Sequence, residues 1–111
     1  MRFRREILKG HLTTIILAAL KDDECHAYRL NQRILDTSLG VFNLAEGTLY
    51  PTLHKLEKAN LVDSRWQERD RKPNIKVYYL TDKGEKELEE RRREWSYLQR
   101  AMRLLLEPPE Q

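Results

Sequence analysis

Glu46-Gly47-Thr48-Leu49-Tyr50-Pro51-Thr52-Leu53-His54-Lys55-Leu56-Glu57-Lys58-Ala59-Asn60-Leu61 is the stretch on which the fold turns. Leu49, Leu53 and Leu56 recur at helical spacing and form one apolar stripe, while Pro51, His54, Lys55 and Lys58 fall on the opposite side. Such a helix can bury one face in a core and offer the other to phosphates and bases. A proline inside a helix forfeits a hydrogen bond and crowds the carbonyl four residues back, so Pro51 is expected in the first turn with Thr48 as N-cap. Thr48 and the free amides beside it would then seat a DNA phosphate. A start near Ala45, with a bend at the proline, is the other reading. Beyond the helix, Leu61 to Trp66 reads as a strand, Gln67 to Asn74 as a charged turn and Ile75 to Leu80 as a second strand. A helix followed by a basic hairpin is the winged-helix plan, related to the helix-turn-helix readers of DNA.

The remaining segments fit around this unit. Ile7 to Leu20 predicts a first helix, apolar nearly all round in its second half. Ala27, Tyr28, Leu30, Ile34 and Leu35 predict a second helix, and Thr37 to Leu44 a connection with Gly40 as its flexible point. A last helix starts at Thr81 or Asp82, where Asp82 and Glu85 have capping-box spacing, and stops before Pro108-Pro109. Leu88, Trp95 and Met102 in it are seven apart, with Leu98 and Leu105 in a second row, a narrow seam suited to pairing between chains. The expected fold is therefore mainly α with a small β-hairpin (α+β). Residues 1–81 form a winged helix-turn-helix domain, 82–107 a long C-terminal dimerisation helix and 108–111 a tail.

Charged residues make up 35% of the 111 positions, above the roughly 25% of ordinary domains, yet the net charge is only +3. Its placement is therefore what matters. Arg2, Arg4, Arg5 and Lys9 face only Glu6 in the first twenty residues, and Arg65, Arg69, Arg71, Lys72 and Lys76 face Glu68 and Asp70 in the hairpin. Positive charge gathered on an arm and a wing suits a polyanion partner. One cysteine, Cys25, excludes an intrachain disulfide and a cysteine-based zinc pattern, and fits the cytoplasm. The longest apolar run, Leu12 to Leu20, is too short to span a bilayer, and Lys21-Asp22-Asp23-Glu24 stands where a signal-cleavage site would need small residues. Cys25, His11, His26 and His54 match no common metal or nucleophile spacing, so neither metal, cofactor nor catalysis is expected.

Glu46-Gly47-Thr48-Leu49-Tyr50-Pro51, then Leu53, Leu56 and Glu57, then Tyr78-Tyr79-Leu80-Thr81 and Gly84, closely resemble the PadR family of transcriptional regulators. The likeness runs from Leu8 to the last helix, and the chain's brevity points to the family's short branch, which ends in a single long helix. Ala27 replaces the family's usual Gly, Ala45 a common capping Ser, and Asn74 and Ile75 stand where arginines are frequent. In the short branch, a tryptophan followed by Ser in the last helix lies at the dimer interface beside a pocket for flat aromatic compounds. Trp95-Ser96 matches, and Gly10, Thr14 and Leu17 on one face of the first helix offer an opposite wall, with Leu98 and Gln99 one turn along.

These readings lead to a homodimeric regulator, expected to repress, that reads an inverted repeat in double-stranded DNA and is released by a small aromatic effector. Thr48, Tyr50, Pro51, His54, Lys55, Lys58, Arg69, Arg71, Lys72 and Lys76 are its candidate DNA contacts. Leu88, Trp95, Leu98, Met102 and Leu105 are its candidate dimer seam. Trp66 is expected to be a packing residue. The alternative is a non-catalytic winged helix whose main partner is a protein.

Overall fold

Four helices and three strands make up the computed structural model, which describes residues 3–110. Arg2 of the basic arm and Gln111 of the tail lie outside the described residues. Helix α1 (Arg5–Leu20) buries Ile16, Leu17 and Leu20, and α2 (Ala27–Thr37) buries Ala27, Leu30 and Ile34. Between them runs β1 (Cys25–His26), a two-residue strand too short to leave any alternation in the sequence. It pairs antiparallel with β3 (Lys72–Leu80), which also pairs with β2 (Val62–Arg69), giving the order β1-β3-β2. Among the described residues, fourteen mutually packed buried ones, drawn from all four helices, the sheet and Leu44 of the connection after α2, form the core.

The wing is longer than its composition suggests. The segment Gln67 to Asn74, expected as a turn, is mostly strand: Gln67 pairs with Ile75 and Arg69 with Lys72 across a register shift, leaving Asp70 and Arg71 as the loop. A ribbon solvated on both faces needs no apolar alternation, so its polar residues look like turn in sequence. Arg71 takes a left-handed conformation at φ 57°, uncommon for a residue with a side chain.

Helix α3 (Glu46–Lys58) begins earlier than the Thr48 start. Ala45 is the N-cap, and the amides of Thr48 and Leu49 both donate to its carbonyl at 2.9 Å, so Thr48 lies inside the first turn and Pro51 in the second. Pro51 cannot donate to the Gly47 carbonyl, while Thr52 Oγ1 donates to the Thr48 carbonyl at 2.7 Å. At the other end Asn60 (φ 61°) turns the chain: its amide donates to Glu57 O, and that of Leu61 to Leu56 O, both at 3.0 Å. This pair of hydrogen bonds closes the helix and leads the chain into β2.

Helix α4 (Asp82–Leu106) is capped by Thr81, whose hydroxyl accepts the Gly84 amide at 2.9 Å; the Asp82–Glu85 box is not its cap. Gly84 and Leu88 are buried, so the first two turns of α4 belong to the core. That corrects Leu88 as a seam residue, since its 4% exposure leaves nothing for a second chain. From Arg92 onward every described residue of α4 is exposed, and the chain is drawn out to 67 × 30 × 21 Å. Its radius of gyration is 16.3 Å, against about 13 Å for a compact chain of this length.

Candidate nucleic-acid interface

Leu49, Leu53 and Leu56 are buried at 3% exposure or less, which fixes the rotation of α3 about its axis. Pro51, His54, Lys55 and Lys58 consequently face solvent together, Tyr50 is 41% exposed beside them and Thr48 is half-buried. No side chain caps the start of the helix, so its first amides and the positive end of its dipole remain available to an anion.

The wing is held against this helix by Glu57. Its two carboxylate oxygens engage the two wing strands: Oε2 accepts from Ser64 Oγ of β2 at 3.2 Å and Oε1 from Lys76 Nζ of β3 at 3.3 Å. Lys76 also lies over the Tyr78 ring, 5.3 Å from its centroid. Burial works against the Lys76 charge, but Tyr78 and Glu57 outweigh it and lift the ammonium's pKa above its ordinary value. Tyr78 moves upward too, because burial disfavours its phenolate more than Lys76 favours it. Lys76, one of the expected phosphate contacts, is thus engaged by an acid within the domain. Arg65 is neutralised similarly by Glu24. Arg69 is half-buried and donates from Nε to the Pro73 carbonyl at 2.9 Å, bracing the hairpin. Arg71 and Lys72 at the tip are exposed.

Trp66 is not a packing residue: it is 67% exposed on β2. The clamp role of Glu57 also went unseen. Its one sequence signal is its place directly after Leu56, at the edge of the Leu stripe, and its polar partners are ones only the fold brings near.

Where α1 meets α4, Gly10, Thr14 and Trp95 do come together, with His11, Arg91 and Glu94, around a cavity of about 140 Å³. His11 meets the Trp95 ring edge-on at 5.8 Å, and Arg91 Nη1 donates to Thr14 Oγ1 at 3.4 Å. Leu17, expected on this wall, has no exposed surface and belongs to the core. Leu98 and Gln99 lie further along α4 and do not line the cavity. The volume is well below the roughly 300–1,000 Å³ of usual ligand pockets.

Cys25 is buried and donates to the His26 carbonyl at 3.3 Å, and burial raises its thiol pKa, the opposite of what a nucleophile needs. His11 lies against Trp95, His26 stacks on Tyr28 and His54 faces out from α3. Among the described residues no three His, Cys, Asp or Glu side chains are grouped to hold a metal, and no helix is long and apolar enough to cross a membrane.

Residues 16–90 match the transcriptional regulator PadR-like family. The chain belongs to that family. A solved PadR-like transcription factor from Bacteroides fragilis is 31% identical, with a TM-score of 0.77 over 90% of this chain and 94% of its own. Bacillus subtilis PadR, solved in complex with operator DNA, is 26% identical, with a TM-score of 0.65 over 71% of this chain and 45% of that one. Escherichia coli K12 transcriptional regulator YqjI is 34% identical over 91 residues, 80% of this chain but only 42% of YqjI. The winged-helix architecture of this PadR-like chain is shared with these solved structures. In PadR terms the Tyr78-Tyr79-Leu80-Thr81 and Gly84 signature is now structural: Thr81 caps α4, and Gly84 lets the helix start press against Leu61.

Proposed function

We propose that the chain is a sequence-specific DNA-binding repressor acting in the cytoplasm as a homodimer. The observation that carries this reading is the cationic face of α3, Pro51, His54, Lys55 and Lys58, exposed beside a wing tip bearing Arg71 and Lys72. The operator complex of the PadR neighbour supports it. Thr48, Tyr50, Arg69 and Lys76 complete the proposed surface, with Arg69 and Lys76 as braces more than as free cations. Enrichment of one duplex from a randomised library, over unrelated duplex at equal salt, is the test. Log K should fall with log salt by about 0.9 per phosphate neutralised, and Lys55→Ala with Arg71→Ala, each present twice in the homodimer, should reduce that slope by about 4. His54→Ala should relax base preference more than it lowers affinity. A library that yields no enriched duplex would leave the protein-interaction module as the better reading.

Pairing through residues 82–107 is part of the proposal, its working half running from Trp95 to Leu106. Trp95, Leu98 and Met102 are about half exposed, Leu105 is 77% exposed, and Tyr97, Leu104 and Leu106 add apolar surface on the same projecting segment. So much unpartnered apolar helix supports a second copy as its cover. Two α3 helices related by a two-fold axis would read half-sites about 10 bp apart. A stop after Arg93 keeps Leu88 in the core and should give a folded monomer in ultracentrifugation; a dimer would refute this interface.

Effector release is the third element. A cavity of about 140 Å³ beside Trp95 is a half-site that a second chain would enlarge, so flat aromatics should quench Trp95 in a Trp66→Phe background. Such a compound induces only if it favours the dimer geometry that cannot bind DNA.

A further inference from the structure

Trp66 is the largest side chain exposed on the wing, and the ladder fixes which way it faces. It lies directly opposite Lys76 and two residues from Ser64. Side chains two apart on a strand share a face, as do directly opposed pairs. Ser64 and Lys76 both reach Glu57 of α3. The Trp66 indole therefore stands on the sheet face that carries the candidate recognition helix, not on the face where Arg65 meets Glu24.

Its distance from that helix has a natural scale. Two strand residues cover about 7 Å, and a helix lying in a major groove about 12 Å wide has phosphates roughly 6 Å to either side of its axis. Trp66 stands one such step outward from the strand residue that touches α3, whereas the wing tip lies several residues further. The surroundings are net cationic: Lys76 opposite, itself paired with Glu57, and Arg69, Arg71 and Lys72 against Glu68 and Asp70 further along the ribbon. A protein partner seeking an apolar patch would meet one indole set among charges. A polyanion presenting flat sugars between phosphates meets a complementary surface.

We infer that Trp66 is a nucleic-acid contact residue of the wing, laying its indole against a deoxyribose at the edge of the groove that α3 enters and donating Nε1–H to the adjoining phosphate. The inference rests on the DNA-binding reading above and deepens it. Glu57 is then the positioning residue, because its bonds to Ser64 and Lys76 set the height of Trp66 relative to α3. The contact is indifferent to base identity, so it adds affinity on every sequence and fixes the register in which His54 and Lys55 meet base edges.

Trp95→Phe leaves Trp66 as the only indole, so emission in that variant reports on the wing alone. Titration with the library-enriched duplex, and with an unrelated duplex at low salt, should change Trp66 emission on both. Trp66→Ala should weaken both duplexes by roughly tenfold or more, the scale of a lost hydrogen bond to a charged group, with unchanged far-UV dichroism and association state, and Trp66→Phe should recover part of the loss. Glu57→Gln should lower affinity while shifting the wavelength of the bound Trp66 emission, which loss of stability alone would not do. Binding by the parent protein with silent Trp66 emission and a Trp66→Ala affinity within twofold would overturn the inference and leave the DNA-binding reading standing. Failure of the parent to bind any duplex would overturn both. A Trp66→Ala chain that lost self-association would overturn it by making the indole a subunit contact.

Discussion

Gly84→Ala should be among the most damaging small substitutions in this chain, and the reason is space. Gly84 does not have positive φ, so alanine would suit its backbone conformation. A Cβ built there, however, would stand 2.0 Å from the Leu61 carbonyl oxygen and 3.3 Å from Leu80 Cδ2. Carbon and oxygen settle at about 3.3 Å or more, so backbone must move by over an ångström. Neither side can give way cheaply. Leu61 O also accepts the Thr81 amide at 3.2 Å, and the Thr81 hydroxyl caps the Gly84 amide at 2.9 Å. Overpacking costs about 1–3 kcal/mol, and losing the cap with one buried hydrogen bond adds about 2 kcal/mol. Alanine's better helix propensity returns about 1 kcal/mol. A net loss of about 3 kcal/mol corresponds to a fall in Tm of roughly 10–15 °C at this chain length. Thermal unfolding at one protein concentration measures it, with Gly47→Ala as the control, since a Cβ at Gly47 meets nothing within 4 Å. An unchanged or higher Tm for Gly84→Ala would refute the close-approach argument.

Three further outcomes follow from local geometry. Ala45→Ser supplies the missing side-chain acceptor at the α3 N-cap and should raise stability by about 1 kcal/mol in denaturant titration; no gain would mean that the cap geometry is wrong. Arg71→Gly relieves a left-handed residue at the wing tip and should stabilise by about 0.5–1 kcal/mol, while weakening binding to every duplex; a parallel loss of stability and affinity would contradict it. Cys25 and Tyr78 both have pKa values raised by burial above their ordinary 9.0 and 10.0. A raised folded-state pKa gives stability that is full below the ordinary value and lost as pH climbs through the folded one. Unfolding free energy should therefore hold from neutrality to about pH 9 and fall beyond, with a shallower fall in Tyr78→Phe.

What the sequence disclosed and what it hid differ by mechanism. Leu49, Leu53 and Leu56 alone orient α3, because a helical apolar stripe can satisfy only one core, and the outward positions of His54, Lys55 and Lys58 followed without knowledge of the rest. The wing ends were misread because Gln67 to Asn74 is polar ladder in solvent, where burial writes no pattern. The heptad through Leu88, Trp95 and Met102 was a true helical period spanning two environments, own core at Leu88 and open solvent from Trp95. Periodicity reports which side of a helix is apolar and is silent on which chain covers it. Trp66, expected to pack, is exposed because the strand it sits on continues beyond the core, and the clamp role of Glu57 is hidden in the sequence since its partners Ser64 and Lys76 lie 7 and 19 positions away.

The joint between α3 and α4 links the two halves of the proposed function. Three successive carbonyls after α3 are gripped by the start of α4: Ala59 O accepts from Lys83 Nζ at 3.0 Å, Asn60 O from Thr81 Oγ1 at 2.6 Å and Leu61 O from the Thr81 amide at 3.2 Å. Gly84 lets the two backbones close to this distance. A joint this short ties the start of α4 to the end of α3. If α4 pairs with its copy, the crossing angle of the pair sets the separation of the two α3 helices. A compound wedged beside Trp95, where α4 meets α1, would act on that angle directly. Its leverage on DNA binding would be its differential affinity for two crossing angles, transmitted through Thr81, Lys83 and Gly84 without any rearrangement inside the winged helix.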